Sequence, residues 1–233
     1  MALSWRLGVV LIPLLVGATA SLAQAETKYR AILIGGDTSL PVFDNATAAL
    51  GRALQRRGVR GIELIHTSRA TIRTVLKSIA TLKPGPGEGC LVFATSHGGK
   101  GAGLYLSRSD EFLTSQALDA ALSQSCGDRP TVAILSACYS GLFTEPPMAR
   151  PNRVILTAAR ADRPSFGCGA GRRFTVYDAC LLDHIRTAST WPALHYAIQG
   201  CVTREETDEQ EEPSEPQLFV GGAMPDLAVP GAP

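Results

Sequence analysis

The stretch TVAILSACYSG (131–141) runs through consecutive apolar residues, Val132 to Leu135, and then gives way at Ser136, Ala137 and Cys138 to a turn containing Gly141. A strand with one solvated face would alternate; one apolar at every position is buried on both faces, as in a parallel sheet covered by helices. Four further runs read the same way: AILIGG (31–36), IELIH (62–66), CLVFATSHG (90–98) and RVILTAA (153–159). Helical spacing lies between them. Ala46, Ala49, Leu50, Ala53 and Leu54 follow the capping candidates Asp44 and Asn45 and stop at Gly58. Ile72, Val75, Leu76 and Ile79 form a second helix, and Leu118, Ala121 and Leu122 a third after Thr114 or Ser115. The order predicted is β-α-β-α-β, a hairpin over GLYLSRSDEFLT (103–114), then α-β-β. Right-handed crossovers put the helices on both faces of one sheet.

Working outward, the first residues contain Arg6, an apolar segment from about Leu7 to Val16, and Ala23-Gln24-Ala25 as a small-x-small cleavage site. They read as a signal peptide over 1–25, with an exported, periplasmic or secreted, product over 26–233. The apolar segment is short of the ~20 residues a membrane span needs, so no stable membrane anchor is expected after signal removal. Loss of Arg6 leaves basic and acidic residues equal in number, which gives no field for nucleic acid or anionic membrane. The length suits one domain. Past Ala159, RADRPSFGCGAGRRF (160–174) reads as a long loop, and helices follow at about 175–186 and 191–206. TREETDEQEEPSEP (203–216) carries seven acids and reads as a solvated helix end and linker. QLFVGG (217–222) reads as a last strand before a frayed, Pro/Gly-rich end.

In open α/β sheets ligands sit beyond the carboxyl ends of the strands. Cys138 ends one strand there and His97 another. A thiol attacks a carbonyl as thiolate, an imidazole is its usual activating partner, and backbone N–H groups at glycine turns hold the resulting oxyanion. His97 precedes Gly98 and Gly99, and Cys138 shares its turn with Gly141, so thiol, imidazole and glycine turns converge on one edge. No cofactor is expected, and zinc is disfavoured because no Cys-x-x-Cys occurs among the six cysteines.

At SHG (96–98) and SACYSG (136–141), and on into LTAARADRPSFGC (156–168), the sequence resembles the legumain-like cysteine peptidases of the caspase-like clan. The resemblance implies a caspase-like three-layer α/β/α sandwich with a mostly parallel central sheet, acting on peptide or protein substrates. It implies Cys138 as nucleophile, His97 as acid/base, and the N–H groups of Gly98 and Cys138 as oxyanion hole. It also implies a substrate pocket in which Ser165 and Phe166 fall on the family's Ser-aromatic pair and Asp178 on its pocket aspartate. Ser136 stands where legumain has an acid, Pro164 replaces a serine, and VFDNATAA (42–49) replaces the Asn-Tyr-Arg-His stretch that supports the histidine. Asn45 and Asp44 are the candidates left to orient His97.

Three functions fit: an endopeptidase cutting after Asn or Asp, a transpeptidase using the same acyl-enzyme, and a catalytically silent binding module of the same fold. Asp178 can accept from an asparagine amide, and Ser136 in place of an acid favours a small polar residue, Asn before Asp. Arg160, Arg163, Arg172 and Arg173 would reinforce an Asp preference if one turned inward. With Cys138 free, at most two disulfides form and one further thiol stays unpaired. The candidate pairs are Cys168–Cys180 and Cys90–Cys126.

Overall fold

A computed structural model describes Met1 and residues 27–169 and 171–232. The signal peptide expected over 1–25 therefore lies, apart from Met1, outside the described residues. The chain runs β1 (Lys28–Gly35), α1 (Val42–Arg56), β2 (Ile62–Ile65), α2 (Ile72–Ile79), β3 (Glu88–Thr95), β4 (Gly98–Gly99), β5 (Gly103–Leu106), β6 (Glu111–Leu113) and α3 (Ser115–Cys126). It continues through β7 (Thr131–Ser136), β8 (Arg153–Thr157), α4 (Val176–His184), α5 (Trp191–Asp208) and β9 (Gln217–Val220). The main sheet is ordered β2-β1-β3-β7-β8-β9. All its pairs are parallel except β8–β9. The hairpin predicted over 103–114 is β5–β6, extended to a three-stranded antiparallel sheet by β4.

Alternation along the strands makes two cores. Ala31, Leu33, Leu91, Phe93, Val132, Ile134, Val154 and Leu156 meet α1, α4 and α5. Ile32, Ile34, Cys90, Val92, Ala94, Ala133, Leu135 and Ile155 meet α2 and α3. These are the two helical layers of an α/β/α sandwich, and both faces of the sheet are dry, which is why the strands read as unbroken apolar runs. Hydroxyl caps start four of the five described α-helices: Thr71, Thr114, Thr175 and Thr190 each accept an N–H of the first turn.

One disulfide lies in each layer. Cys90 on β3 joins Cys126 at the end of α3, as the sequence allowed, and Cys180 on α4 joins Cys201 on α5. The Cys168–Cys180 pairing is not made: Cys180 faces the neighbouring helix, and Cys168 stays free. The acidic stretch also differs from a plain solvated linker. Glu206 is buried and accepts from the Ser214 amide, and Glu215 pairs with Arg160 and Arg163. Among the described residues no helix is long and apolar enough to cross a membrane.

Candidate active site

The site is built by strand register. β3 and β7 are parallel neighbours, and their last matched pair is Thr95 with Ser136. Each chain then leaves its strand, and His97 and Cys138 each follow two residues beyond that pair. Both side chains line one cleft of ≈ 250 Å³, together with Phe43, Ser96, Ser136, Ser165, Phe166, Cys168 and Thr175. A larger cleft, ≈ 690 Å³, opens at the opposite ends of the strands around Lys28, Arg60 and Glu88 and has no thiol or imidazole in its lining.

The turn after β7 is fixed by backbone demands. Tyr139 takes a left-handed conformation, φ 58°, and donates its amide to the Arg163 carbonyl at 2.8 Å. Ser140 Oγ accepts the amides of Ala158 and Ala159 at 3.1 and 3.3 Å. A Cβ on Gly141 would lie 2.5 Å from the Ala161 nitrogen, so only glycine lets the two segments touch. Cys138 Sγ in turn accepts the Ser165 amide at 3.3 Å and lies 3.5 Å from the Ser165 carbonyl oxygen. The thiol-bearing turn and the loop after β8 are thus one unit. Gly98 presses on it from the other strand: a Cβ there would sit 2.0 Å from the Cys138 carbonyl oxygen and 3.1 Å from its nitrogen.

His97 packs edge to face against Phe43, with ring centres 5.3 Å apart. Its pKa is raised, first by a hydrogen bond with the Cys168 thiol and less by the Asp37 carboxylate, while partial burial works the other way. Asp44 and Asn45, the expected orienting groups, do not reach it. The Asp44 carboxylate accepts the Thr67 amide at 2.9 Å and hydroxyl at 2.7 Å and lies 3.1 Å from His66 Nδ1. Asn45 Nδ2 donates to the Arg173 carbonyl at 3.1 Å. The reason is helical phase. Successive residues of α1 point about 100° apart, and the one aimed at the cleft is Phe43.

Asp178 also departs from the expected arrangement. It is fully buried and does not line the cleft. It lies behind the cleft wall in the first turn of α4, where Oδ2 accepts the Thr95 hydroxyl at 2.7 Å and the Asp178 amide donates to Thr175 Oγ1 at 3.0 Å. The Ser136 hydroxyl is close enough to favour the charged form, yet Oδ1 has no partner of good geometry. Burial dominates and pushes the carboxyl up to about 6. Ser136, Ser165 and Phe166 stand in the wall of the cleft. The four arginines do not. Arg160 pairs with Asp162 and Glu215, and Arg163 with Glu215. Arg172 pairs with Glu209 and lies over Phe166, and Arg173 lies over Phe174.

Phe43, Ser96, Ala137, Cys168 and Thr175 are the wall residues not among the candidates read from sequence. Two left signals: Thr175 opens a Thr-x-x-Asp cap, and cysteine arithmetic required a second unpaired thiol, although Cys168 was assigned to a candidate bridge. Among the described residues no three His, Cys, Asp or Glu side chains are grouped to hold a metal ion.

A family model described as the Peptidase C13 family matches residues 67–190, which include His97, Cys138 and the loop after β8. A solved structure titled "structure of pro-sf-caspase-1" matches with a TM-score of 0.63 and 12% identity, over 84% of this chain and 92% of that one, a likeness of fold alone. No curated protein matches. Fold and family together define a legumain-like cysteine peptidase of the caspase clan. The chain belongs to the Peptidase C13 family.

Proposed function

We propose that the protein is an exported cysteine endopeptidase that cleaves peptide bonds after Asn, and after Asp when that acid is protonated. What carries the reading is the thiol of Cys138 and the imidazole of His97, each two residues past the end of adjacent parallel strands and lining one cleft. Cys138 attacks the scissile carbonyl as thiolate, the developing oxyanion is met by the N–H groups of Gly98 and Cys138, and His97 carries the proton to the leaving amine. Water then hydrolyses the acyl-enzyme. Among the described residues no hydrogen bond joins His97 to Cys138, a separation usual in free enzymes that tightens with substrate. The hydroxyls of Ser136 and Ser165 and the Phe166 ring suit a small polar side chain. Arg160, Arg163 and Arg172 are engaged by acids and Arg173 lies over Phe174 outside the cleft wall, so little positive charge is left to draw in a charged Asp. Two disulfides in so small a domain support an oxidising compartment, in line with the signal-like N-terminus.

The test uses matched fluorogenic peptides ending in Asn, Asp, Arg and Lys, between about pH 4 and pH 8, a range that spans carboxyl and imidazole titration. Cleavage after Asn is expected throughout the active range, with cleavage after Asp growing as pH falls. Cys138→Ser should fold and lose nearly all turnover. Dominant cleavage after Arg or Lys would sink the specificity, and an active Cys138→Ser the nucleophile.

A further inference from the structure

Four of the six cysteines close bridges, with Cα separations of 6.3 and 5.8 Å, and the two left over, Cys138 and Cys168, line the same cleft. Both are half-buried, so small reagents can reach them. Cys168 has no part in the peptidase chemistry above, yet its thiol lines the cleft beside His97 and is the first cause of that imidazole's raised pKa. One imidazole therefore shares its cleft with two thiols.

The chain between them is short where it matters. Cys138 Sγ touches the backbone of Ser165, and Cys168 follows three residues later. Three residues reach at most about 10 Å when extended, and here Gly167 bends the chain with φ +87°. A disulfide needs Cα atoms roughly 4.4–6.8 Å apart. Gly169, on the far side of Cys168, meets nothing within 4 Å of where a Cβ would stand, so no packing on that side pins this part of the loop.

We propose that the cleft is a two-thiol modification site at which low-molecular-weight disulfides of the glutathione class convert Cys138 and Cys168 into a reversible bridge. His97 takes the Cys168 proton, and the thiolate attacks one sulfur of the small disulfide. The sulfur–sulfur bond of the reagent breaks, a Cys168 mixed disulfide forms, and one small thiolate leaves. Cys138, as thiolate, then attacks the Cys168 sulfur; the Cys138–Cys168 bond forms and the second small thiolate leaves. The two protein sulfurs lose two electrons, the reagent gains them as two thiols, and the two protons released by the protein end on those thiols. The bridge consumes the nucleophile and removes the partner of His97, so turnover stops until a thiol reverses both exchanges. The loss of turnover rests on the peptidase reading, whereas formation of the bridge does not.

The experiment takes the full mature chain with its two layer bridges intact, incubates it with oxidised and then reduced glutathione, and follows peptide cleavage and non-reducing peptide mapping side by side. Expected are a Cys138 peptide joined to a Cys168 peptide, loss of nearly all turnover with the same time course, and recovery of both in reduced glutathione. Cys168→Ser, compared with its own untreated form, is expected to stop at a Cys138–glutathione adduct. Glutathione held on Cys138 of the unsubstituted protein while Cys168 remains open to alkylation would overturn the proposal, as would no modification of either thiol. A chain that bridges but cleaves no peptide keeps this site and refutes the peptidase; one that cleaves but never bridges does the reverse.

Discussion

Gly98 is the residue with the least freedom to vary. A methyl group at that position would overlap the Cys138 carbonyl, an atom of the opposing strand end rather than a mobile side chain. Gly98→Ala must therefore push β4 away from the β7 turn, and with it His97 and one of the two N–H groups proposed to meet the oxyanion. Misplacement by about 1 Å costs on the order of 10²-fold in turnover. A fall of that size in kcat/KM is expected, with Cys138 still open to alkylation because the thiol's own turn is held by Ser140 and Tyr139. Unchanged kcat/KM would remove Gly98 from the site. Gly98, His97 and Cys138 could be read from sequence because each sits in a contiguous motif at a strand end. The orientation of His97 could not. It depends on which residue of α1 faces the cleft, a matter of helix phase and docking, and the answer was the apolar Phe43 in place of the polar candidates Asp44 and Asn45. Asp178 was found by motif but misjudged in depth, because burial behind Thr95 and Ser136 follows from the way α4 packs on the sheet.

Elements were more legible than their partners. Consecutive apolar runs and helical spacing gave strands and helices in the observed order, since each pattern is local. Pairings between distant elements were not local. α4 and α5 lie in one layer, and the Cys180–Cys201 bridge between them needs two helix faces to be known at once; Cys168 was favoured instead because it and Cys180 bracket the loop before α4. The same holds for the acids after α5, which look solvated until Arg160 and Arg163 are brought beside Glu215. Removing the α4–α5 bridge as the double variant Cys180→Ala, Cys201→Ala should lower unfolding free energy by about 3 kcal/mol, since the loop it closes is 21 residues long. Urea unfolding of the mature chain measures this. A loss below about 1 kcal/mol would mean that packing between the helices already fixes them.

Across the whole molecule, two buried groups pull stability in opposite directions with pH. Asp178 is pushed up to about 6, so the folded state holds a proton that the unfolded chain has already released; its contribution is fully present below about pH 4 and is lost as pH rises toward 6. His195, 2% exposed, is pushed down to about 4 by burial, so the unfolded chain takes a proton that the folded one refuses, and stability is lost as pH falls from about 6.5 toward 4. Each is worth about 3 kcal/mol, and over the shared window they offset. Unfolding midpoints of the unsubstituted protein should therefore vary little between about pH 4 and 6, while Asp178→Asn should lose stability on acidification through that window and His195→Gln on alkalinisation. Parallel profiles for all three proteins would discard the compensation. The two disulfides act at this scale as well. They close loops 90–126 and 180–201, one in each layer, and neither encloses the segment from Cys138 to Thr175 that forms much of the cleft wall. Covalent restraint is thus unequal across the site: the 90–126 bridge encloses His97 and Gly98, whereas the segment that carries Cys138 lies outside both loops and, free of a covalent tie, keeps the local opening motions that admission of a polypeptide requires.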